Sequence, residues 1–187
     1  MKNKEIKRQK KGADVVFLVC LLLFFFCTAF DLVTKAWAEY YFEVCGNAEI
    51  ELIPHFMTLT HTYNTGAAWG MMADNPVLMK VITWVTPLIV LLLLFFAWKL
   101  PRHYNVCRVL LGVVAAGAFA NFADRAFSPS GVRDFMDVSS IGFGVCNFAD
   151  YFLSIGGVVL VICFIVCTVT DREDGETDVT DKNDEKE

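Results

Sequence analysis

The stretch VVFLVCLLLFFFCTAF, residues 15–30, carries no charge and decides the class of fold. A helix that crosses the ~30 Å hydrocarbon core of a bilayer needs roughly 20 apolar residues, and this run with its neighbours meets that length from 14 to 33. Hydrophobic residues make up 56% of the 187-residue chain, which is too apolar for a soluble domain. We therefore expect a membrane protein.

Three further segments reach the same length. The four expected spans are 14–33, 77–98, 106–127 and 147–170. Asn75 followed by Pro76 is typical of a helix start and predicts where the second span begins. Pro87 is expected to kink that helix without ending it, because proline is tolerated inside transmembrane helices.

The charges lie unevenly along the chain and predict its orientation. Residues 2–11 carry six basic side chains, and three more flank the short link between the second and third spans. The segment 36–75 carries five acids and neither Lys nor Arg. Basic residues mark the cytoplasmic side of membrane proteins. We therefore expect both termini in the cytoplasm, with 36–75 and 128–146 on the periplasmic side.

The two ends of the chain differ in composition from the middle. Residues 1–13 form a basic cytoplasmic tail, and 171–187 form a tail with nine acids against three basic residues. Neither tail has apolar residues to bury, so disorder is expected in both. One four-span domain is expected between them, from 14 to 170.

The start of the chain allows a second interpretation. Basic residues, an apolar run and then Ala36-Trp37-Ala38 are also typical of a cleaved secretory signal peptide. The apolar run is long for such a signal, and the charged residues Asp31 and Lys35 stand before the cleavage motif. These features favour a retained first span.

Cysteine and histidine spacing indicates neither a metal nor a cofactor. Only Cys45 and Cys146, of seven cysteines, lie outside apolar runs, so one disulfide is possible. His55, His61 and His103 are scattered over both predicted sides of the membrane. No spacing typical of zinc ligands is present.

Polar residues collect at one depth, near the outer ends of the spans. Inserting a charged residue at the centre of a membrane helix costs roughly 2.5 to 3.5 kcal/mol, so the presence of these residues requires an explanation. They are Asp31 and Lys35 at the end of span one, Asn121, Asp124 and Arg125 near the end of span three, and Asn147 and Asp150 at the start of span four. Because spans three and four are antiparallel, the last two groups are expected to meet.

The tetrapeptide NFAD occurs twice in these groups, at 121–124 and at 147–150. Each copy places its Asn and Asp on one helix face, and small residues on both spans allow close packing. Asp124 and Asp150 are then expected to lie within reach of one water. Two neighbouring carboxylates share a proton, so one can act as base and the other as acid in peptide hydrolysis.

The same residues also fit a structural role. Asp124 is able to pair with Arg125, and Asp150 lies in a first helical turn, where the helix dipole favours an anion. Asp31 and Lys35 are four residues apart and form a favourable helical pair. Lys35 is expected either to reach the lipid head groups or to hold a lipid phosphate or a substrate carbonyl. Residue chemistry leaves these alternatives open.

The first outer segment is expected to contain a strand. Thr alternates with larger residues in FMTLTHTYN, 56–64, which is the period of a strand. NTGAAWG, 64–70, follows it, and its small residues permit close backbone approach beside the donor and acceptor of Asn64. The strand and the small-residue segment after it fit a site that binds an extended peptide by strand addition, and they also fit an ordinary hairpin turn.

Five pieces of the chain, taken in order, resemble one known family. They are DLVTKAW (31–37), NTGAAWG (64–70), GAFANFADR (117–125), VRDF (132–135) and NFAD (147–150). These pieces are similar to the motifs of the lipoprotein signal peptidase family, also called signal peptidase II. Its members are aspartic endopeptidases of the bacterial inner membrane that cut the signal peptide from prolipoproteins, just before a cysteine that carries a diacylglyceryl group.

The resemblance implies a fold and a set of site residues. The fold is an all-α membrane protein with four transmembrane helices, a small β-rich periplasmic cradle around 43–63 between the first two, and a substrate-covering element at 64–75. The implied catalytic pair is Asp124 and Asp150. The residues implied to line the site are Asp31, Lys35, Asn64, Gly66, Asn121, Arg125 and Asn147. Ala120 and Trp69 depart from the family, which usually has Gly and Phe there.

The resemblance also implies partners. They are diacylglyceryl-modified prolipoproteins and membrane lipid, and the cyclic peptide globomycin is expected to inhibit the protein. Neither a metal, a cofactor nor nucleic acid is expected. The chain is expected to be a monomer. Two other classes remain as alternatives. A proton-coupled transporter would place its polar residues at the membrane midplane and show repeated bundles, and a membrane scaffold would use the acids only for packing.

Overall fold

Four long helices form the membrane-crossing part of the protein. The structure, a computed structural model, describes residues 2–46, 49–66 and 74–184, with side chains described from 15 to 171 within those ranges. The helices are α1 (Lys2–Val44), α2 (Pro76–Lys99), α3 (Asn105–Phe127) and α4 (Phe148–Asp184). Each contains a segment long and apolar enough to cross a membrane, so the expectation of four spans is confirmed.

Helix α3 lies at the centre and packs against the other three helices. Its glycines allow close approach on two sides. A Cβ atom at Gly112 would lie 2.6 Å from the Sγ atom of Cys20 on α1, and one at Gly117 would lie 2.6 Å from the carbonyl oxygen of Ala149 on α4. The small residues of α3 therefore let the backbones of α1 and α4 each approach α3 closely, as the sequence predicts.

Both ends of α2 are closed by side chains. The Asn75 side chain accepts a hydrogen bond from the backbone N–H of Leu78 at 3.0 Å, so the predicted helix start is confirmed. The helix continues through Pro87 to its last turn, where the Nε atom of Arg108 donates to the carbonyl oxygen of Ala97 at 2.7 Å. The carbonyl that lacks a partner at this helix end is thereby satisfied.

Helix α1 is longer than the sequence predicts. The charged pair at 31 and 35 was expected to end the first span near residue 33, but the helix continues to Val44. Ala38 and Phe42, four residues apart, are buried against the residues of the sheet. Burial of this apolar face stabilises the extra turns. The non-helical outer segment therefore begins after residue 44 and not at 36.

A four-stranded antiparallel sheet covers the outer end of the helices. Its strands, in spatial order, are β1 (Ile50–Ile53), β2 (Met57–Asn64), β3 (Val132–Asp137) and β4 (Val145–Cys146). The strand expected near 56–64 is confirmed as β2. The placement of the cradle between the first two spans alone was incomplete, because β3 and β4 come from between α3 and α4. Strand β3 is buried along most of its length and so lacks the alternation that identified β2.

The register of the sheet fixes where α4 begins. Asn64 at the end of β2 pairs with Val132 at the start of β3, and Met136 pairs with Cys146, one residue before Asn147. Gly131 has a φ of 109°, and a Cβ atom there would lie 2.6 Å from the carbonyl oxygen of Asn64. The sheet thus joins the exit of α3 to the entry of α4.

The chain ends are helical where the sequence predicts disorder. The backbone of α1 is helical from Lys2, and that of α4 continues past residue 170 to Asp184. Extending an existing helix avoids the cost of nucleation, and acidic and basic residues with long side chains propagate a helix well. The side chains of both tails lie outside the described residues.

The cysteines of the described residues are free. Cys45 is exposed and Cys146 is buried, and both are free, so the disulfide that the sequence allowed is not formed. Across the described ranges, His, Cys, Asp and Glu side chains form no cluster of three able to hold a metal ion.

Candidate active site

The residues singled out from the sequence lie in one connected polar network at the outer ends of α1, α3 and α4. They are Asp31, Lys35, Asn64, Gly66, Asn121, Asp124, Arg125, Asn147 and Asp150. Most of these side chains are buried. Buried polar groups of this kind persist only when their hydrogen bonds are satisfied within the protein.

Lys35 is the central cation of the network and has no exposed surface. Its Nζ atom lies 2.6 Å from Asp31 and 3.3 Å from Asp124, and it donates to Asn121 at 2.8 Å. The predicted helical pair with Asp31 is confirmed. Asp31 also accepts from the backbone N–H of Ala149 at 2.8 Å. Lys35 therefore does not reach the head groups, and its partners leave it unsuited to hold a lipid phosphate or a substrate carbonyl.

The second NFAD copy caps the start of α4. The backbone N–H of Asp150 donates to Asn147 Oδ1 at 3.1 Å, and the backbone N–H of Asn147 donates to Asp150 Oδ2 at 3.1 Å. The capping alternative is therefore correct for Asp150. Its other oxygen accepts from the Nδ2 atom of Asn121 at 2.9 Å, so the two copies meet as expected.

Asp124, in the first copy, is held by cations. Arg133 donates to it from Nε at 3.2 Å, from a terminal nitrogen at 2.5 Å and from the backbone N–H at 3.1 Å, and Lys35 lies beside it. The expected pairing of Asp124 with Arg125 is wrong, because adjacent residues of a helix point in different directions. Arg125 donates instead to the carbonyl oxygen of Gly66 at 2.9 Å.

Asp134, from the VRDF piece, is a site residue to which the sequence assigned no role. Its Oδ1 atom accepts from the side chain of Asn147 at 2.6 Å, and its Oδ2 atom accepts from the side chain of Asn64 at 3.2 Å. The carboxyl is buried. Burial and the nearby charge of Asp150 raise the pKa of Asp134 to about 7.

The acids Asp124, Asp134 and Asp150 are divided between two cavities. A cavity of about 410 Å³ has both Asp134 and Asp150 on its wall. Its other polar lining residues are Asn64, Asn121, Arg125, Thr86 and Ser154, and side chains of α2, α3 and α4 complete it with apolar surface. Asp124 instead lines a second cavity of about 330 Å³, together with Glu39 and Arg133. In the described part of the chain, the acid that shares a cavity with Asp150 is therefore Asp134.

The predicted covering element at 64–75 is described only at its two ends. Asn64 Oδ1 accepts from the backbone N–H of Gly66 at 2.9 Å, which folds the start of this element back onto the site. The stretch 67–73, which includes Trp69, lies outside the described residues.

Three side chains of the network were missed from the sequence: Glu39, Arg133 and Asp134. A signal for two of them was present, because VRDF is among the five resembling pieces. Successive residues of a strand point to opposite faces, which sends Arg133 toward Asp124 and Asp134 toward Asn147. No comparable signal marked Glu39, which lies in the part of α1 that was not expected to be helical.

The chain is similar to known proteins over most of its length. Residues 23–166 match the family model described as signal peptidase (SPase) II. Lipoprotein signal peptidases of Staphylococcus aureus strains MRSA252 and JH9 are each 31% identical over 156 residues, which are 82% of this chain and 91% of theirs.

Two solved structures share the fold. Both are described as bacterial membrane enzymes determined by the in meso method, at 2.3 Å and 1.9 Å. The first has a TM-score of 0.63 and 31% identity, and the aligned region covers 83% of this chain and 90% of the chain in that structure. The second has a TM-score of 0.62 and 33% identity, and the aligned region covers 78% of this chain and 91% of the chain in that structure. The chain therefore belongs to the signal peptidase II family of membrane peptidases that process lipoproteins.

Proposed function

We propose that the protein is an aspartic endopeptidase that removes the signal peptide from diacylglyceryl-modified prolipoproteins, just before the lipidated cysteine. The observation that carries the proposal is the bridge made by Asn147. Its side chain donates to Asp134, and its backbone N–H donates to Asp150. Two carboxyl groups joined in this way on one cavity wall are suited to share a proton.

The catalytic pair in this proposal is Asp134 with Asp150, and not Asp124 with Asp150. Asp124 lines a different cavity from Asp150, and its two oxygens are taken by Arg133 and Lys35. Asp124 is thus not placed to act on the same substrate bond as Asp150. Asp134, whose pKa is about 7, is protonated in a large fraction of molecules at neutral pH. We assign Asp124 to holding β3 and α1 in place.

The two acids then perform the hydrolysis as an acid and a base. Ionised Asp150 takes a proton from water while the water oxygen bonds to the scissile carbonyl carbon, and Asp134 gives its proton to the carbonyl oxygen. In the resulting diol, Asp150 returns the proton to the leaving nitrogen, and Asp134 takes one from a hydroxyl as the C–N bond breaks. The products are the carboxyl end of the signal peptide and the amino end of the lipidated cysteine.

The remaining walls of the cavity fit a lipidated substrate. Ile82, Ala118 and Leu153 give an apolar surface that extends from the acids between α2, α3 and α4. Burial of acyl chains against such a surface stabilises binding by about 0.8 kcal/mol per methylene. Asn64 and Arg125 are on the same wall, where they would orient the peptide.

We place the enzyme in the bacterial inner membrane as a monomer, with both termini in the cytoplasm and the dyad at the periplasmic edge. The basic residues around α1 and the α2–α3 link support this orientation. Asp31 and Lys35 join the site, so the first span is retained. The reaction requires neither a metal nor a cofactor, and we expect globomycin to inhibit it.

The proposal is tested with purified protein and a diacylglyceryl-modified prolipoprotein, with release of the signal peptide as the readout. Asp134→Asn and Asp150→Asn should abolish release, whereas Asp124→Asn should retain it in the molecules that fold. Loss with Asp124→Asn but not with Asp134→Asn would restore the pair expected from the sequence. Loss of activity with EDTA would contradict the metal-free mechanism.

A further inference from the structure

One carboxylate on α1 holds two neighbouring strands of the sheet. Glu39 accepts from the hydroxyl of Tyr63 through Oε1 at 2.5 Å and from Arg133 through Oε2 at 3.0 Å. Tyr63 on β2 and Arg133 on β3 are direct cross-strand partners. Both oxygens of Glu39 are therefore used to fix the pairing of β2 with β3 against α1.

Arg133 joins this contact to α3. Its Nε atom and one terminal nitrogen donate to Asp124, while the other terminal nitrogen donates to Glu39. The backbone N–H of Arg133 also donates to Asp124. Burial lowers the pKa of Arg133, but the hydrogen bonds and charges of these carboxylates outweigh it and raise the pKa above its usual value. Residue 133 is thus fixed through its backbone and its side chain to two helices.

The next residue along the strand is Asp134, which points to the opposite face. Among the described residues, its carboxyl accepts hydrogen bonds from the side chains of Asn147 and Asn64, at 2.6 Å and 3.2 Å. Any shift of β3 relative to α1 and α3 therefore moves Asp134 relative to Asp150. The geometry points to Arg133 as a positioning residue for the proposed catalytic pair: its forked side chain, held by Glu39 and Asp124, sets the distance between Asp134 and Asp150. This inference rests on the proposed function.

A lysine cannot replace this fork. A guanidinium presents its donors in a fixed plane and is able to bind two carboxylates at once, whereas an ammonium is a compact charge on a flexible stem. Arg133→Lys therefore keeps the charge beside Asp124 and removes the simultaneous hold on Glu39. The variant separates geometry from electrostatics.

We expect Arg133→Lys to lower kcat by about 10²-fold, because a displacement of about 1 Å has an effect of this size. KM should stay close to that of the parent, since Arg133 lines the second cavity and not the one that holds the dyad. Tyr63→Phe keeps the ring and removes only the hydrogen bond to Glu39. It should lower kcat less, in the same direction.

The pH profile of kcat separates positioning from general loss of structure. Charged groups that act on Asp134 are Lys35 on α1, Arg125 on α3 and Asp150 on α4. Those facing Arg133 are Glu39 on α1, Asp124 on α3, and Tyr63, with His61 near Glu39, on β2. If Asp134 moves away from Asp150, their repulsion weakens and the pKa of Asp134 falls. The fall of kcat at high pH should then begin at lower pH in Arg133→Lys, whereas partial unfolding would scale the profile without moving it.

The matched control is Ser140→Ala. The Ser140 hydroxyl donates to the carbonyl oxygen of Phe56 at 2.8 Å, which ties the loop between β3 and β4 to the turn between β1 and β2 without touching Arg133 or Glu39. This variant should keep the kcat and the pH profile of the parent. The comparison uses full-length protein in detergent with the diacylglyceryl-modified prolipoprotein, and thermal unfolding confirms that each variant is folded.

The outcomes separate this inference from the proposed function. If the parent cuts the substrate and Asp134→Asn does not, but folded Arg133→Lys and Tyr63→Phe keep the parent's kcat and pH profile, the positioning role is wrong and the dyad stands. If Asp134→Asn cuts as well as the parent, the dyad itself is wrong. A lower kcat in Arg133→Lys with an unmoved pH profile also overturns the inference, because it indicates a general structural loss.

Discussion

The two NFAD copies have the same four residues and opposite surroundings. The copy at 147–150 stands at the start of α4, where backbone N–H groups without a partner in the helix donate to the side chains of Asp150 and Asn147. The copy at 121–124 stands in the last turns of α3, where such donors are absent, so Asp124 takes its partners from Lys35 and Arg133. The position of a motif within its helix, and not its sequence, decides which partners its acid takes and which cavity it lines.

The largest expected difference between the copies is in activity. Asp150→Asn should lower kcat by at least about 10²-fold, because the loss of a general base alone costs about 10²- to 10⁴-fold. Asp124→Asn should keep a far larger part of the parent's kcat per folded molecule. Single-turnover release of the signal peptide, normalised to the folded fraction, makes the comparison. Equal losses in the two variants would show that both copies serve catalysis.

The second difference is in stability and has the opposite sign. Asp124→Asn leaves Lys35 and Arg133 short of a buried anion, and breaking such a pair costs about 3 to 5 kcal/mol. Asp150→Asn removes one capping acceptor, which costs about 1 kcal/mol. Thermal unfolding in one detergent should therefore give the lower Tm for Asp124→Asn. The reverse order of Tm values would mean that Asp124 does not hold the fold.

Sequence reasoning found the spans and the meeting of the two copies because both depend on strong local signals. Long apolar runs fix the helices, and antiparallel order brings the ends of α3 and α4 together. The choice of partner for Asp150 was missed because it depends on β3. That strand is short and buried on both faces, so its pairing with β2 and β4 leaves no pattern in the sequence.

The length of α1 was missed for a related reason. A buried charged pair, Asp31 with Lys35, is unfavourable in an isolated helix. Within the fold it is stabilised by the oxygens of Asn121 and Asp124 on α3 and by the backbone N–H of Ala149 on α4. A sequence shows that a charge in an apolar helix is unfavourable, but it shows the partners of that charge only when they are close along the chain. Glu39 lies beyond this pair and was therefore assigned to the outer segment.

A smaller effect is expected where the backbones of the two copies approach. Gly117→Ala would place a methyl group 2.6 Å from the carbonyl oxygen of Ala149, and overpacking of this kind costs about 1 to 3 kcal/mol. The matched control is Gly157→Ala on α4, where a Cβ atom meets nothing within 4 Å. The control should stabilise its helix slightly. Gly117→Ala should lower both Tm and kcat, because it separates Asn121 from Asp150. If both variants keep the parent's Tm, close approach of α3 and α4 is not required.

The smallest effect expected is a shift in pH dependence, and it distinguishes the copies without removing an acid. Asp134 donates a proton only while protonated, so kcat should fall about tenfold per pH unit above its pKa of about 7. The Asn147 side chain donates to the ionised form of Asp134 and so favours ionisation. Asn147→Ser keeps a residue that caps α4 but is too short to reach Asp134. The pKa of Asp134 should then rise, and the fall in kcat should begin at higher pH.

Asn121→Ser, the equivalent change in the other copy, removes no hydrogen bond to Asp134, so its fall in kcat should begin at the parent's pH. A shift of the same size in both variants would mean that Asp134 does not set the limit.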